Sequence, residues 1–220
     1  MIPQSYIQER KNMVELQLKR RNITDKAILE AFGKVPRHEF MPEKHRNAAY
    51  TDNPIPIGYN QTISQPYVVA HMIQELEVRP ADVALDVGTG SGYSAAILSH
   101  LCKQVYGIER IGPLAKRAAR TLTRLGYDNV EIRCGDGFEG WPEKAPFDVI
   151  MLGAAPAEIP EPLQEQMADD GRLVAPIGEL EQQLIKLRRS GHEFEMDRGT
   201  LVRFVPMKRG TYQEEEESGS

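Results

Sequence analysis

The stretch Val83-Ala-Leu-Asp-Val-Gly-Thr-Gly-Ser-Gly-Tyr93 decides how this chain folds. Val83 to Val87 reads as a short buried strand with one acid, Asp86, near its carboxyl end. Gly88, Gly90 and Gly92 then make a tight turn. Tyr93-Ser-Ala-Ala-Ile-Leu-Ser-His-Leu101 continues with helix formers and apolar positions at Ala96, Ile97 and Leu101. Strand, glycine turn and helix in that order open a doubly wound nucleotide-binding fold. The expected class is α/β with a Rossmann-like sheet.

The turn also discriminates between cofactors. A dinucleotide fingerprint wants Gly-x-Gly-x-x-Gly, but Tyr93 stands where its third glycine would fall, and the glycine comes one residue early, at Gly92. Asp86 would oppose a pyrophosphate. It suits the sulfonium and amino group of S-adenosylmethionine, the expected cofactor. Val105-Tyr-Gly-Ile-Glu109 reads as the next strand and ends in a carboxylate, about 20 residues past the turn, where ribose hydroxyls are bound. The bland alternative is a tight strand–helix turn with no ligand.

Composition narrows the class further. A chain of 220 residues suits one domain with an extension and can bury a substantial core. A formal net charge of −5 gives no overall attraction to nucleic acid, so no nucleic-acid partner is expected. Two cysteines, Cys102 and Cys134, read as small buried residues in a reducing compartment. The first eleven residues lack a signal-peptide apolar run, and no stretch reaches membrane-spanning length. The expected location is cytoplasmic, without a membrane partner. His38-Glu39 and His192-Glu193 begin like a zinc-protease motif, but Pro42 and Met196 occupy the second histidine's place. No metal site is expected.

The rest of the chain divides around the glycine turn. Residues 1–78 are expected as a helical extension carrying an active-site loop at 52–66, residues 79–210 as the cofactor-binding α/β domain, and residues 211–220 as a disordered acidic tail. Tyr6 to Arg21 reads as an amphipathic helix with Met13, Leu16 and Ile7 inward and Lys19-Arg-Arg21 as a solvated basic end. Thr24 is expected to cap a second helix, Asp25 to Phe32, closed by Gly33. The proline-bracketed Val35 to Pro42 reads as an extended connection. Asp52 to Pro66 holds three prolines and a glycine, has no helical periodicity, and carries polar groups at Gln61, Thr62, Ser64 and Gln65. It reads as a functional loop rather than a linker. Helix Tyr67 to Leu76 precedes the strand at Val83. Further strands are expected at Val130–Cys134, Phe147–Leu152, Arg172–Ala175, Gln183–Leu187 and Leu201–Val205, with helices at Pro113–Leu125 and Ile159–Met167. Asp136, in Gly135-Asp-Gly-Phe138, lies at a strand's carboxyl end, where it meets either an adenine amino group or its own backbone.

With these segments laid out, the chain resembles the protein-L-isoaspartate O-methyltransferases over nearly its whole length. The marks are Val35-Pro-Arg-His38, Pro56-Ile-Gly58, Gln61-Thr-Ile-Ser-Gln-Pro66, Asp86-Val-Gly-Thr-Gly-Ser-Gly-Tyr93, Gly135-Asp-Gly137, Gly153-Ala-Ala155 and Val202-Arg-Phe-Val-Pro206. The glycine turn alone would indicate only a class I S-adenosylmethionine-dependent methyltransferase. The segment from Gln61 to Pro66 and the ending at Val202 to Pro206 narrow it to this family.

The resemblance implies a seven-stranded sheet with added amino-terminal helices, and methyl transfer to the free α-carboxylate of L-isoaspartyl residues in damaged proteins and peptides. It makes Ser64 the active-site serine. The cofactor set it implies is Gln61, Thr62, Ile63, Ser64, Asp86, Gly88, Thr89, Gly90, Ser91, Glu109, Asp136 and Gly137. Substrate contacts fall on Thr62, Ile63, Ser64 and the main chain of Val202, Arg203, Phe204 and Val205. A monomer is expected. Asn60 departs from the family's usual glycine, and Asn tolerates φ > 0 better than most residues. Two other readings differ in class: a methyltransferase acting on another carboxylate, and a cofactor-binding module without turnover.

Overall fold

A computed structural model describes residues 4–213. Its centre is a seven-stranded sheet in the order β5-β4-β3-β6-β7-β8-β9. Strands β3 (Val83–Val87), β4 (Gln104–Glu109), β5 (Val130–Cys134), β6 (Phe147–Leu152) and β7 (Met167–Ile177) run parallel. Strands β8 (Gln182–Ser190) and β9 (Glu193–Val202) add antiparallel at one edge. The order reverses at β3, so the crevice between the carboxyl ends of β3 and β6 is the ligand-binding edge of such a sheet.

Local chemistry explains most elements. Helix α3 (Pro66–Glu75) and helix α5 (Gly112–Leu125) both carry proline in the first turn, where its missing N–H is harmless. Gly126, at φ 80°, closes α5, and its N–H reaches the carbonyls of Leu122 and Thr123. Helix α4 (Tyr93–Ser99) follows the glycine turn, and α6 (Glu161–Glu165) follows β6. Apolar residues of the amino-terminal helices, including Met13, Leu18 and Phe32, share one core with Ala84 and Val105 of the sheet. Leu85, Trp141, Phe147 and Leu163 form a second core on the other face. The extension therefore shares its core with one face of the sheet.

Several expectations are corrected. Helix α1 (Gln4–Asn12) runs on through a π-helical segment, Met13–Leu18, and a 3-10 turn, Lys19–Arg21. The wider π turn changes which positions face inward: Met13, Val14 and Leu18 are buried, while Ile7 and Leu16 are exposed. Asp25, not Thr24, caps α2 (Lys26–Lys34), its carboxylate accepting from the amides of Ala27 and Ile28 at 2.7 and 3.1 Å. Gly33 lies inside that helix. Arg37–Phe40 makes a 3-10 turn within the connection expected to be extended.

Downstream, the loop at 52–66 contains a hairpin, β1 (Ile55–Gly58) against β2 (Gln61–Ile63). Its two central residues, Tyr59 and Asn60, have φ of 54° and 55°, as a type I′ turn requires. Asn60 thus adopts a left-handed backbone, which Asn tolerates better than most residues. Strand β9 ends at Val202, so Arg203 to Val205 leave the sheet instead of forming its last strand. Tyr212 is bridged to Ile111, and its N–H and carbonyl bond Arg110 and Gly112, so order extends past residue 210. The acidic run from Glu214 lies outside the described residues. Among the described residues no helix is long and apolar enough to cross a membrane, and no group of three metal-ligating side chains is brought together.

Candidate active site

The glycine turn holds Gly88, Gly90 and Gly92 at φ of 76°, 54° and 86°. The early third glycine has a packing reason as well. A Cβ at Gly92 would stand 3.1 Å from Leu122 and 3.3 Å from Ala118, both on α5. Across the crevice Gly153 donates its N–H to the Val87 carbonyl at 2.7 Å, and a Cβ there would stand 2.8 Å from the Gly88 carbonyl oxygen. Bare backbone therefore lines both sides of the crevice, leaving the space that side chains would fill.

Asp86 sits beneath the turn, fully buried. Its Oδ2 accepts from the hydroxyls of Thr89 at 2.7 Å and Ser94 at 2.6 Å. Its Oδ1 makes no hydrogen bond of ordinary geometry among the described residues. Burial pushes its carboxyl above the usual range, against the opposing pull of Ser94, Thr89 and the Ala95 amide. Through these two hydroxyls the Asp86 Oδ2 organises the turn.

Glu109 reaches the crevice from β4. Its Oε2 accepts from Gly90 N at 2.9 Å and its Oε1 from Ile111 N at 2.8 Å. Burial raises its pKa, opposed by those two amides. The carboxylate lines the cleft with Gly88, Gly90, Gly137 and Gly153, and with Gln61 and Thr62 of β2. Asp136 takes the turn alternative: its Oδ1 accepts from Phe138 N at 2.9 Å and its Oδ2 from Gly210 N at 2.6 Å. Its neighbour Gly137 forms the wall.

Ser64 opens onto a second space. It lies with Ile63, Thr89, Ser91 and Phe204 around a hollow beside the glycine turn, and again in a wide groove between α3 and the end of β9. Thr62 and Gly153 line the cleft, the hollow and the groove alike. The three spaces thus meet at one point. Val202, Arg203, Phe204 and Val205 all line the groove. Their main chains are not equally available. Phe204 N and O are taken by the Gln182 side chain, and the Val205 carbonyl accepts from Ala155 N at 2.9 Å. No described hydrogen bond uses the N–H or carbonyl of Arg203. Successive residues of an extended segment point these groups to opposite sides, so Arg203 faces away from Gln182.

Anchors from distant segments hold this arrangement. Arg117 on α5 donates to the Ile57 carbonyl of the hairpin at 2.5 Å. Asp52 accepts from Tyr67 N at 3.0 Å and pairs with Arg21, whose guanidinium lies 3.4 Å over the Tyr67 ring. Arg21 is therefore part of the groove wall rather than only a solvated helix end. Sequence reasoning also missed Pro206, Met207 and Lys208, which cross the sheet's carboxyl edge and line the cleft. Their only local signal was continuity with the Val202-to-Pro206 mark.

A family model described as protein-L-isoaspartate(D-aspartate) O-methyltransferase matches residues 8–212. The chain belongs to this family. Relatives in the family include the protein-L-isoaspartate O-methyltransferase 2 of Anaeromyxobacter sp., 53% identical over 207 residues, covering 92% of this chain and 84% of its own. The protein-L-isoaspartate O-methyltransferase of Synechococcus sp. is 48% identical over 210 residues, covering 92% and 86%. A solved protein-L-isoaspartate O-methyltransferase superposes with a TM-score of 0.81 at 28% identity, over 90% of this chain and 65% of that longer chain. A Plasmodium falciparum structure of the same description, in complex with S-adenosyl-L-homocysteine, gives 0.80 at 29% identity, covering 90% and 98%. The family uses S-adenosylmethionine, and the crevice here fits it. Its walls are largely backbone at Gly88, Gly90, Gly137 and Gly153, and the buried Glu109 carboxylate borders it.

Proposed function

We infer that the chain transfers a methyl group from S-adenosylmethionine to the free α-carboxylate of L-isoaspartyl residues in damaged proteins and peptides, the first step of their repair. One observation carries this beyond family membership: Thr62 and Gly153 line both the cofactor cleft and the groove that holds Ser64. A carboxylate laid in the groove at Ser64 has direct access to the cleft.

S-adenosylmethionine supplies an electrophilic methyl group on a sulfonium. The chain's residues do the rest by binding and alignment. Glu109 would receive the ribose hydroxyls, and the glycine turn with Thr89 and Ser91 would hold the amino-acid end. Gly137 would border the adenine, while Asp136 is held in its own turn. Gln61, Thr62 and Ile63 close the hairpin over the junction. The acceptor carboxylate has a reference pKa near 4, so it is ionised at neutral pH and needs no general base. Ser64 is a positioning hydroxyl for it. Alignment of this kind is worth about 7–11 kcal/mol in favourable cases. The linking amide nitrogen then attacks the ester carbonyl and expels methanol, closing a succinimide without the enzyme, and its hydrolysis returns some normal aspartate.

The protein acts as a monomer in the cytoplasm, without a nucleic-acid or membrane partner. Two free cysteines suit a reducing compartment. Edge strand β9 carries Glu193, Glu195 and Asp197, charges that discourage a second copy from pairing there.

The deciding experiment is radiolabelled methyl transfer to matched isoaspartyl and aspartyl peptides, by wild type and Ser64→Ala. Labelling confined to the isoaspartyl peptide is expected, and Ser64→Ala reduces it while leaving S-adenosylmethionine affinity intact. Equal labelling of the two peptides by wild type would sink the reading.

A further inference from the structure

Leu180 and Leu201 are the two most exposed large apolar side chains among the described residues, at 100% and 75%. Both line the same groove, the one that contains Ser64. By contrast Leu184 and Leu187, on the strand that follows Leu180, are both buried. Leu180 stands at the tip of the β7–β8 turn, whose two flanks are fixed. Gly178 N donates to the Pro156 carbonyl at 3.0 Å, and Gln182 grips the Phe204 backbone. Leu201 pairs in register with Gln183 next to that second anchor, and precedes Arg203 by two positions, so both lie on one face of the segment. The turn holds Leu180 outward while its ends are tied down. Large apolar side chains held in water beside a binding groove mark a contact surface.

Resting on the methyltransferase reading above, we propose that Leu180 and Leu201 are specificity-determining residues that grip an apolar side chain flanking the isoaspartyl residue of the substrate. The occupant is the substrate peptide itself, because the leucines continue the same groove that presents Ser64 and the open main chain of Arg203. A peptide bonded at Arg203 runs past Leu201, and its neighbouring side chains lie against the two leucines. Polar flanking residues leave both leucines in water; an apolar one removes them from it. Selectivity of this origin appears in peptide KM more than in kcat, because the contact exists equally before and during transfer.

The test uses two isoaspartyl peptides identical except for leucine or serine on both sides of the isoaspartyl residue. Steady-state methyl transfer is measured for wild type and for the double variant Leu180→Ser/Leu201→Ser, with calorimetric S-adenosylmethionine binding as the control for folding. Wild type is expected to favour the leucine peptide about tenfold in kcat/KM, or ~1.4 kcal/mol, carried by KM. The double variant is expected to bring the two peptides within about twofold of each other. Transfer by wild type without preference, or a preference that survives in the double variant, overturns the proposal and leaves the methyltransferase reading standing. Absence of transfer to either peptide by wild type overturns both.

Discussion

Gln182 holds Phe204 by both ends of its side-chain amide. Its Nε2 donates to the Phe204 carbonyl at 3.1 Å, and its Oε1 accepts from the Phe204 N–H at 2.6 Å. The side chain thus imitates one more residue of β-ladder just where β9 has left the sheet. It fixes which way the main chain of Arg203 faces.

Gln182→Ala removes both bonds. At about 0.5–1.5 kcal/mol each, the variant is expected to lose about 1–3 kcal/mol of stability, read by urea denaturation. Peptide KM rises severalfold and S-adenosylmethionine affinity is unchanged, because Gln182 does not border the cofactor cleft. Unchanged peptide KM would mean that Phe204 needs no such support.

Asp86→Asn separates stability from binding. Burial raises the folded pKa of Asp86. The unfolded chain therefore releases this proton first, and the group's contribution to stability falls as pH rises from about 4 toward the raised folded value. That is the opposite of a salt-bridged aspartate. The wild-type stability, relative to Asp86→Asn, is expected to decline over that window in thermal melts. Calorimetry is expected to show affinity for S-adenosylmethionine reduced about tenfold or more, the scale of a hydrogen bond to a charged group. A parallel pH profile for the two proteins would show that Asp86 does not titrate differently on folding.

Asn60→Gly tests the hairpin. With φ of 55° at position 60, glycine removes local strain but adds freedom to the unfolded chain, and the two effects oppose. Turnover within about twofold of wild type, and a stability change under about 1 kcal/mol, are expected. A tenfold loss of turnover would reveal a direct role for the Asn60 side chain.

Arg172→Met examines a buried ion pair. Arg172 on β7 meets Asp82 at 2.5 Å and also donates to the carbonyls of Leu76 and Glu77 at 2.9 and 3.0 Å, tying the end of α3 to the sheet. Removing the guanidinium leaves Asp82 buried without its partner, with an expected loss of about 3–5 kcal/mol in chemical denaturation. Adding Asp82→Leu is expected to recover only part of it, since the two carbonyls stay unpaired. Full recovery would show that the carbonyl bonds contribute nothing.

The sequence by itself determined the α/β class, the ligand-binding edge and the family. The class and the edge each rest on short windows, and the family on several of them between Val35 and Pro206. The apolar run from Val83, the glycines at 88, 90 and 92 and the strand-end acids are constrained by residues only a few positions away. The tolerance of Asn60 for a left-handed backbone is local for the same reason. Only the tertiary structure decided where these groups point. Whether an Asp86 oxygen meets a ligand depends on whether Thr89 and Ser94 fold back to reach it. Asp136 binds Gly210 because the chain after β9 returns across the sheet's edge, a contact between residues 74 positions apart. Arg21 became part of the groove through Asp52, and Leu180 became a groove residue through anchors at Pro156 and Phe204. Hydrophobic pattern and turn chemistry report on neighbours in sequence. A hydrogen bond or an exposed leucine is settled by which surfaces the finished fold brings face to face.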